Sequence, residues 1–179
     1  GAEVAALAPF RRKSVAIAKG RFKPSQREAD HTATDSNGQF TIHPSVEVST
    51  LIAVSPMGYA ETQLEDSQQH YAVSLQPWGK VEGRLLRDNR ALAGAKVALT
   101  LVGPGTENVF LDYSSFEAIT GPNGEFAFTT VPPRLVQLVR FEPTSARSWQ
   151  SRDQTNFVVR PNQTTYVELR VDSGPAAAQ

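Results

Sequence analysis

The feature that most constrains this chain is a nine-residue segment that occurs twice. Thr34-Asp35-Ser36-Asn37-Gly38-Gln39-Phe40-Thr41-Ile42 aligns with Thr120-Gly121-Pro122-Asn123-Gly124-Glu125-Phe126-Ala127-Phe128. In each copy a polar stretch leads into Asn-Gly, and an aromatic residue then opens a short alternating run. Asn and Gly both tolerate positive φ, so the pair predicts a tight hairpin turn between strands. The match extends outward. Gly1-Ala2-Glu3-Val4-Ala5 pairs with Gly94-Ala95-Lys96-Val97-Ala98, and Leu51-Ile52-Ala53-Val54 with Leu138-Val139-Arg140-Phe141. Tyr71-Ala72-Val73-Ser74-Leu75 pairs with Tyr166-Val167-Glu168-Leu169-Arg170. Spacings between these anchors differ as loop insertions between kept strands would make them differ.

A chain of 179 residues has room for two small domains, and a repeat of this length fills it. Short alternating runs, separated by turn residues and lacking helical periodicity, predict antiparallel sheets that each bury one face. The expected fold is all-β, two tandem antiparallel β-sandwich domains of Greek-key type. Residues 1–76 form a truncated copy, residues 77–171 a complete one, and residues 172–179 a tail or linker. The first copy is called truncated because Val81-Glu82-Gly83-Arg84-Leu85-Leu86 alternates and turns at Arg87-Asp88-Asn89-Arg90 into Gly94, whereas Gly1 already matches Gly94. Lys80–Leu86 is expected to cover a sheet edge. The matching edge of the first copy should then lie open, inviting an edge-strand dimer, or take a substitute strand from the basic segment described below. Trp78 is expected to pack at the junction.

These residues carry a resemblance. Gly83, Gly94-Ala95-x-Val97, then Asn123-Gly124-Glu125-Phe126-x-Phe128 and Val131-Pro132-Pro133 resemble the carboxypeptidase regulatory-like domain, a small prealbumin-like (transthyretin-like) β-sandwich of about seven strands. Ser55-Pro56-Met57-Gly58-Tyr59-Ala60 is similar to that family's late Gly-Tyr-Ala turn. Arg134 departs from the usual glycine after the double proline, and Arg90-Ala91 replaces the usual Gly-Pro. The resemblance implies an accessory role beside neighbouring domains of a larger bacterial protein, in an extracytoplasmic (periplasmic or secreted) setting.

Composition narrows the chemistry. Eighteen basic and eighteen acidic residues cancel, which leaves no net field to attract nucleic acid. No apolar run reaches the ~18 residues of a membrane helix, so no membrane insertion is expected. The opening Gly-Ala-Glu-Val-Ala-Ala lacks the basic lead-in of a signal peptide. With no cysteine, thiol catalysis and thiolate-held zinc are excluded. His31, His43 and His70 all lie in the first copy, but without a placed carboxylate they fall short of a zinc site. Asp35-Ser36-Asn37-Gly38 faintly echoes a calcium loop whose closing glutamate is missing, so it reads as an Asx-type turn. No nucleophile elbow, phosphate-cradling loop or His-Glu-x-x-His occurs. No catalytic, cofactor-binding or metal-ligating residue is expected, and no cofactor.

The remaining candidates are contacts. Every basic residue of the first copy lies between Arg11 and Arg27: Arg11, Arg12, Lys13, Lys19, Arg21, Lys23 and Arg27. Glu28–Gly79 holds no Lys or Arg but seven acids. Because Ser14–Ala18 reads as a strand, this predicts a basic hairpin on an acidic body. It either faces its own acids or offers Arg11, Arg12, Lys13, Arg21 and Lys23 to a glycan or anionic envelope polymer. Tyr113 and Trp149 are the aromatic residues expected to stack on sugar rings if the chain binds carbohydrate, while Phe116 is expected in the core. The sequence therefore predicts a non-catalytic spacing, stabilising or interaction module, with carbohydrate or cell-envelope binding as the alternative.

Overall fold

A computed structural model describes residues 1–8, 14–23, 29–43, 47–64, 70–103, 109–145 and 148–172. Among the described residues the chain is all-β apart from one helical turn, α1 (Tyr113–Phe116). It divides into two compact units, Gly1–Trp78 with Leu101–Ser115, and Gly79–Thr100 with Phe116–Gln179. The segment Leu101–Ser115 thus belongs to the first unit although it lies between two strands of the second.

The first unit is built on β1 (Glu3–Leu7), β4 (Asp30–Ala33), β5 (Thr50–Ser55) and β6 (Gly58–Gln63), in the order β4-β1-β5-β6. Both faces of this sheet are covered, which is why β1 and β5 read as nearly continuous apolar runs. On one face Val4, Ala6, Leu51, Ala53 and Ala60 form a core against which Phe40, Ile42, Tyr71, Val73 and Leu75 pack half-buried. Ala5, Leu7, Ile52 and Val54, one residue out of phase, are buried on the opposite face. A second sheet, β10-β2-β3, is formed by β2 (Val15–Ala18), β3 (Arg21–Lys23) and β10 (Val109–Leu111). β2 and β3 are an antiparallel hairpin whose two-residue turn, Lys19 and Gly20, has positive φ of 49° and 75°, the twist a short hairpin needs. β10 runs parallel to β2.

The second unit repeats the first sheet. β9 (Lys96–Leu101), β11 (Glu117–Ile119), β13 (Leu135–Ser145) and β14 (Ser148–Val158) are ordered β11-β9-β13-β14. Facing it is β12-β7-β15, from β7 (Gly79–Arg87), β12 (Glu125–Val131) and β15 (Thr164–Val171), with the short β8 (Arg90–Ala91) hairpinned to β7. Val81, Leu85, Val97, Leu99, Phe126, Phe128, Val136, Leu138, Leu169 and Val171 fill the sandwich.

The repeat is legible in single hydrogen bonds. Ala2 N–H donates to Thr34 Oγ1 at 2.9 Å, and Ala95 N–H to Thr120 Oγ1 at 3.0 Å. Thr34 N–H returns to Ala2 O, and Thr120 N–H to Ala95 O, both at 2.9 Å. The Asn-Gly turns match as well: Asp35 N–H to Gln39 O mirrors Gly121 N–H to Glu125 O, and Gly38 N–H to Asp35 O mirrors Gly124 N–H to Gly121 O. Asp35 Oδ1 also accepts from Asn37 and Gln39 N–H at 2.8 Å, the Asx turn expected.

Several expectations are corrected. The Asn-Gly turn does not close a hairpin: β11 pairs with β9 and β12 with β7, so the turn carries the chain from one sheet to the other. β7 does not cover an edge. It is the central strand of its sheet, antiparallel to β12 and parallel to β15. The basic hairpin is no substitute for β7 in the first unit. Glu3, in phase with Ala5 and Leu7, takes a hydrogen bond from Phe22 N–H at 2.7 Å, which puts β3 on the face of β1 opposite Phe40 and Tyr71. The tyrosine match is off by one residue. Tyr71 is half-buried against the core, whereas Tyr166 is 62% exposed, and period-two side chains forbid equating them. Finally, Gln39–His43 and Tyr71–Leu75 are in no ladder, although their counterparts β12 and β15 are full strands.

Candidate functional site

Among the described residues, three places gather polar and aromatic groups from which a site could be made. The first is the hairpin of β2 and β3. Gly20 is needed there: besides its positive φ, a side chain would press on the Ser55 carbonyl of the β5–β6 turn. From this anchored turn Arg21 Nη1 reaches Glu3 Oε1 at 3.3 Å and Lys23 Nζ reaches Asp112 Oδ2 at 3.5 Å. The two cations thus face acids of their own unit. With side chains 67% and 46% exposed, each pair contributes only ~0–1 kcal/mol, but each neutralises charge locally. Arg11, Arg12, Lys13 and Arg27 lie outside the described residues.

The second place is an ion network at one end of the second unit. Alternation puts Arg140 on the same inward face as Val136 and Leu138, and it is 6% exposed. A buried guanidinium must be paired. Arg140 Nε donates to Asp153 Oδ2 and Nη1 to Glu142 Oε1, both at 2.6 Å. Glu142 also receives Arg152 at 3.2 Å and Arg87 at 3.5 Å. The hydrogen bond from Arg140 holds the Glu142 carboxyl below the usual carboxylate range; burial opposes this, and the charges of Arg140, Arg152 and Arg87 assist it. Glu142 is accordingly a fixed anion, unsuited to proton transfer near neutral pH. Beside the network is a depression of about 310 Å³ lined by Gly94, Lys96, Phe141 and Glu142 among others. Lys96 Nζ there lies 2.9 Å from Glu117 and 5.9 Å from the Phe141 ring centre.

The third place is the outer face of β12-β7-β15, which carries a shallow groove of about 460 Å³. Register sets its floor in rows: Ala127, Glu82 and Tyr166 lie side by side, then Glu125, Arg84 and Glu168. Tyr166 presents its ring to solvent beside Glu82 and Arg84. An aromatic face flanked by a carboxylate and a guanidinium suits a polar ring such as a sugar.

The residues singled out from sequence are not gathered into one place. Arg21 and Lys23 lie on β3; Tyr113 opens α1 in the first unit, and Trp149 lies on β14 in the second, opposite Pro143. Phe116 is fully buried, as expected. His31, His43 and His70 are exposed, and no group of three potential metal ligands forms among the described residues. Tyr166 was missed. Its outward phase was available from the alternation of Val167, Leu169 and Val171, had it been fixed to the core before the tyrosines were aligned.

No protein-family model matches the chain, and no curated protein matches it. Among solved structures it is similar to a Pseudomonas aeruginosa protein proposed to bind carbohydrate, at 18% identity, covering 54% of this chain and 90% of that one, TM-score 0.34. It is similar to the major pilin subunit of Bacillus cereus at 16% identity, covering 70% of this chain and 38% of that one, TM-score 0.35. A streptococcal ancillary pilin matches at 16% identity over 95% of this chain and 56% of its own length, TM-score 0.41.

Proposed function

We propose that the chain is a non-catalytic accessory module of a larger bacterial, extracytoplasmic protein, related to carboxypeptidase regulatory-like domains, that spaces, stabilises or presents neighbouring domains. The observation that carries this reading is how the charged side chains are used. Arg140, Glu142, Asp153, Arg152 and Arg87 brace strand to strand, and so do Lys96 with Glu117 and Arg21 with Glu3. Such pairs hold sheets in register rather than converge on a substrate. The recurrence of one four-stranded sheet, with the same turn and the same threonine clasp, supports a tandem structural array. The family resemblance supports the extracytoplasmic setting.

The exposed Tyr166 in its groove favours a second reading, binding of a glycan or envelope polymer. A glycan array probed with the intact chain separates the two. The accessory reading predicts no saturable signal. A saturable signal lost in Tyr166→Ala or Trp149→Ala would replace it with the carbohydrate reading.

A further inference from the structure

We propose that the Asn37-Gly38 turn is a site of spontaneous covalent modification, where water converts Asn37 to aspartate and isoaspartate, and that β7 protects the matching Asn123-Gly124 pair of the second unit. Asn-Gly suits this chemistry because glycine carries no side chain to screen its backbone nitrogen. That nitrogen, once its proton is lost to base, attacks Asn37 Cγ. The N–Cγ bond forms, the Cγ–Nδ2 bond breaks, and the side-chain amide leaves as ammonia, closing a succinimide. Water then opens the ring. Attack at Cγ gives aspartate on an unchanged main chain; attack at the main-chain carbonyl gives isoaspartate, with the chain rerouted through Cβ and Cγ. Either way a water is consumed, an ammonia is released and a negative charge is gained.

The two turns are alike in everything the reaction itself uses. Both asparagines are exposed. The attacking nitrogens are tied in the same way, Gly38 N–H to Asp35 O at 3.2 Å and Gly124 N–H to Gly121 O at 2.9 Å. Each asparagine N–H is held by a carboxylate of its own turn: Asn37 by Asp35 Oδ1 at 2.8 Å, Asn123 by Glu125 Oε2 at 2.7 Å. The glycines have φ of 79° and 75°. In either turn the glycine nitrogen must first release its carbonyl and swing towards Cγ, so the reaction proceeds from a locally opened turn.

The turns differ in what that opening breaks. Gly124 is buried, its carbonyl accepts Leu85 N–H at 2.9 Å, and a side chain on it would press on the Leu85 carbonyl of β7. Leu85 O in turn accepts Leu92 N–H at 2.9 Å, so moving the Asn123-Gly124 peptide disturbs both β7 and the chain that follows β8. Gly38 is exposed, and a side chain on it would meet no described residue within 4 Å. A single main-chain hydrogen bond left unmade at Leu85 is enough to matter, since ~1.4 kcal/mol is tenfold in the open population. The consequence at Asn37 is local. The new carboxylate arises beside Asp35, whose Oδ1 holds the Asn37 and Gln39 N–H groups, and isoaspartate adds a carbon to the main chain inside that bonded span. The modified turn therefore loses its Asx bonds just ahead of Phe40, which packs on the core.

The test is to incubate the intact chain at mildly alkaline pH and follow each asparagine by peptide mass mapping, with isoaspartate told from aspartate by fragmentation. In the folded chain Asn37 should convert at least roughly tenfold faster than Asn123. In urea, where only the shared Asn-Gly sequence remains, the two rates should fall within about threefold of each other. Asn37→Gln, a change at an exposed position, should remove the mass gain from its peptide. Equal conversion of the two sites in the folded chain, faster conversion of Asn123, or no conversion of Asn37 while the unfolded chain converts would overturn the proposal. So would a preference for Asn37 that persists undiminished in urea, or a mass gain that survives Asn37→Gln.

Discussion

The two units contain the same four-stranded sheet and differ in what covers one face of it. In the second unit the cover is a three-stranded sheet knitted by β7; in the first, Gln39–His43 and Tyr71–Leu75 pack on the equivalent face and belong to no ladder among the described residues. Period-two alternation alone evidently suffices to lay Phe40, Ile42, Val73 and Leu75 on the core. It does not suffice to make strands of them. A strand needs a partner for its N–H and C=O groups, and the pair β12 and β15 obtains one from β7 on both sides. The first unit is instead built out on its other face, where β2, β3 and the borrowed β10 cover Ala5, Leu7, Ile52 and Val54.

The largest contrast is expected at the matched phenylalanines. Phe126→Ala should destabilise the second unit by ~3–5 kcal/mol, and Phe40→Ala the first by about half as much, because Phe40 is only half-buried. Trp78 and Trp149 are the two tryptophans and lie in different units, so single-tryptophan variants read each denaturation curve separately. Equal losses would mean that Phe40 is as fully covered as Phe126.

The matched glycines come next. Gly38→Ala carries only the left-handed strain of an L-residue, ~1 kcal/mol, whereas Gly124→Ala adds the displacement of β7 and should cost about 3 kcal/mol. Chemical denaturation of the two variants orders them, and a reversed order would break the comparison.

Smaller still is Arg140→Ala, about 2 kcal/mol. The ~3–5 kcal/mol of a broken buried pair is reduced here because Glu142 and Asp153 are 34% and 33% exposed and regain water. The smallest effect is that of pH. The depressed Glu142 contributes stability that is fully present above the ordinary carboxylate range of ~4.3 and is lost as pH falls through the lower folded value. Thermal melts of wild type and Glu142→Gln should therefore converge on acidification. Curves that stay parallel down to strongly acidic pH would remove Glu142 from the stability account.

Much of this was legible in the residues. Gly-Ala-x-Val and Asn-Gly located the threonine clasp and the turn in both copies, because each motif specifies local hydrogen bonds or a local φ. Which strand neighbours which was not legible. Alternation fixes the face of a strand and says nothing about its partner, so Asn123-Gly124 looked like a hairpin while its flanks pair elsewhere, and β10 could not be foreseen beside β2. Matching Tyr71 to Tyr166 failed because residue identity was allowed to outweigh phase. At the hairpin, the partners of Arg21 and Lys23, Glu3 and Asp112, come from other strands and loops, so sequence favoured an internally paired hairpin without naming its partners and left a contact surface as the alternative.

The central claim, that the covers of the two matched sheets differ in how firmly their backbones are hydrogen-bonded, is tested most directly by amide hydrogen exchange on the chain. The account predicts that amides of Gln39–His43 and Tyr71–Leu75 exchange at least about a hundredfold faster than those of β12 and β15, while β1 and β5 are protected like β9 and β13. Matching protection of the two segments and of β12 and β15 would contradict it, since their amides would then be held as firmly as those of a full ladder.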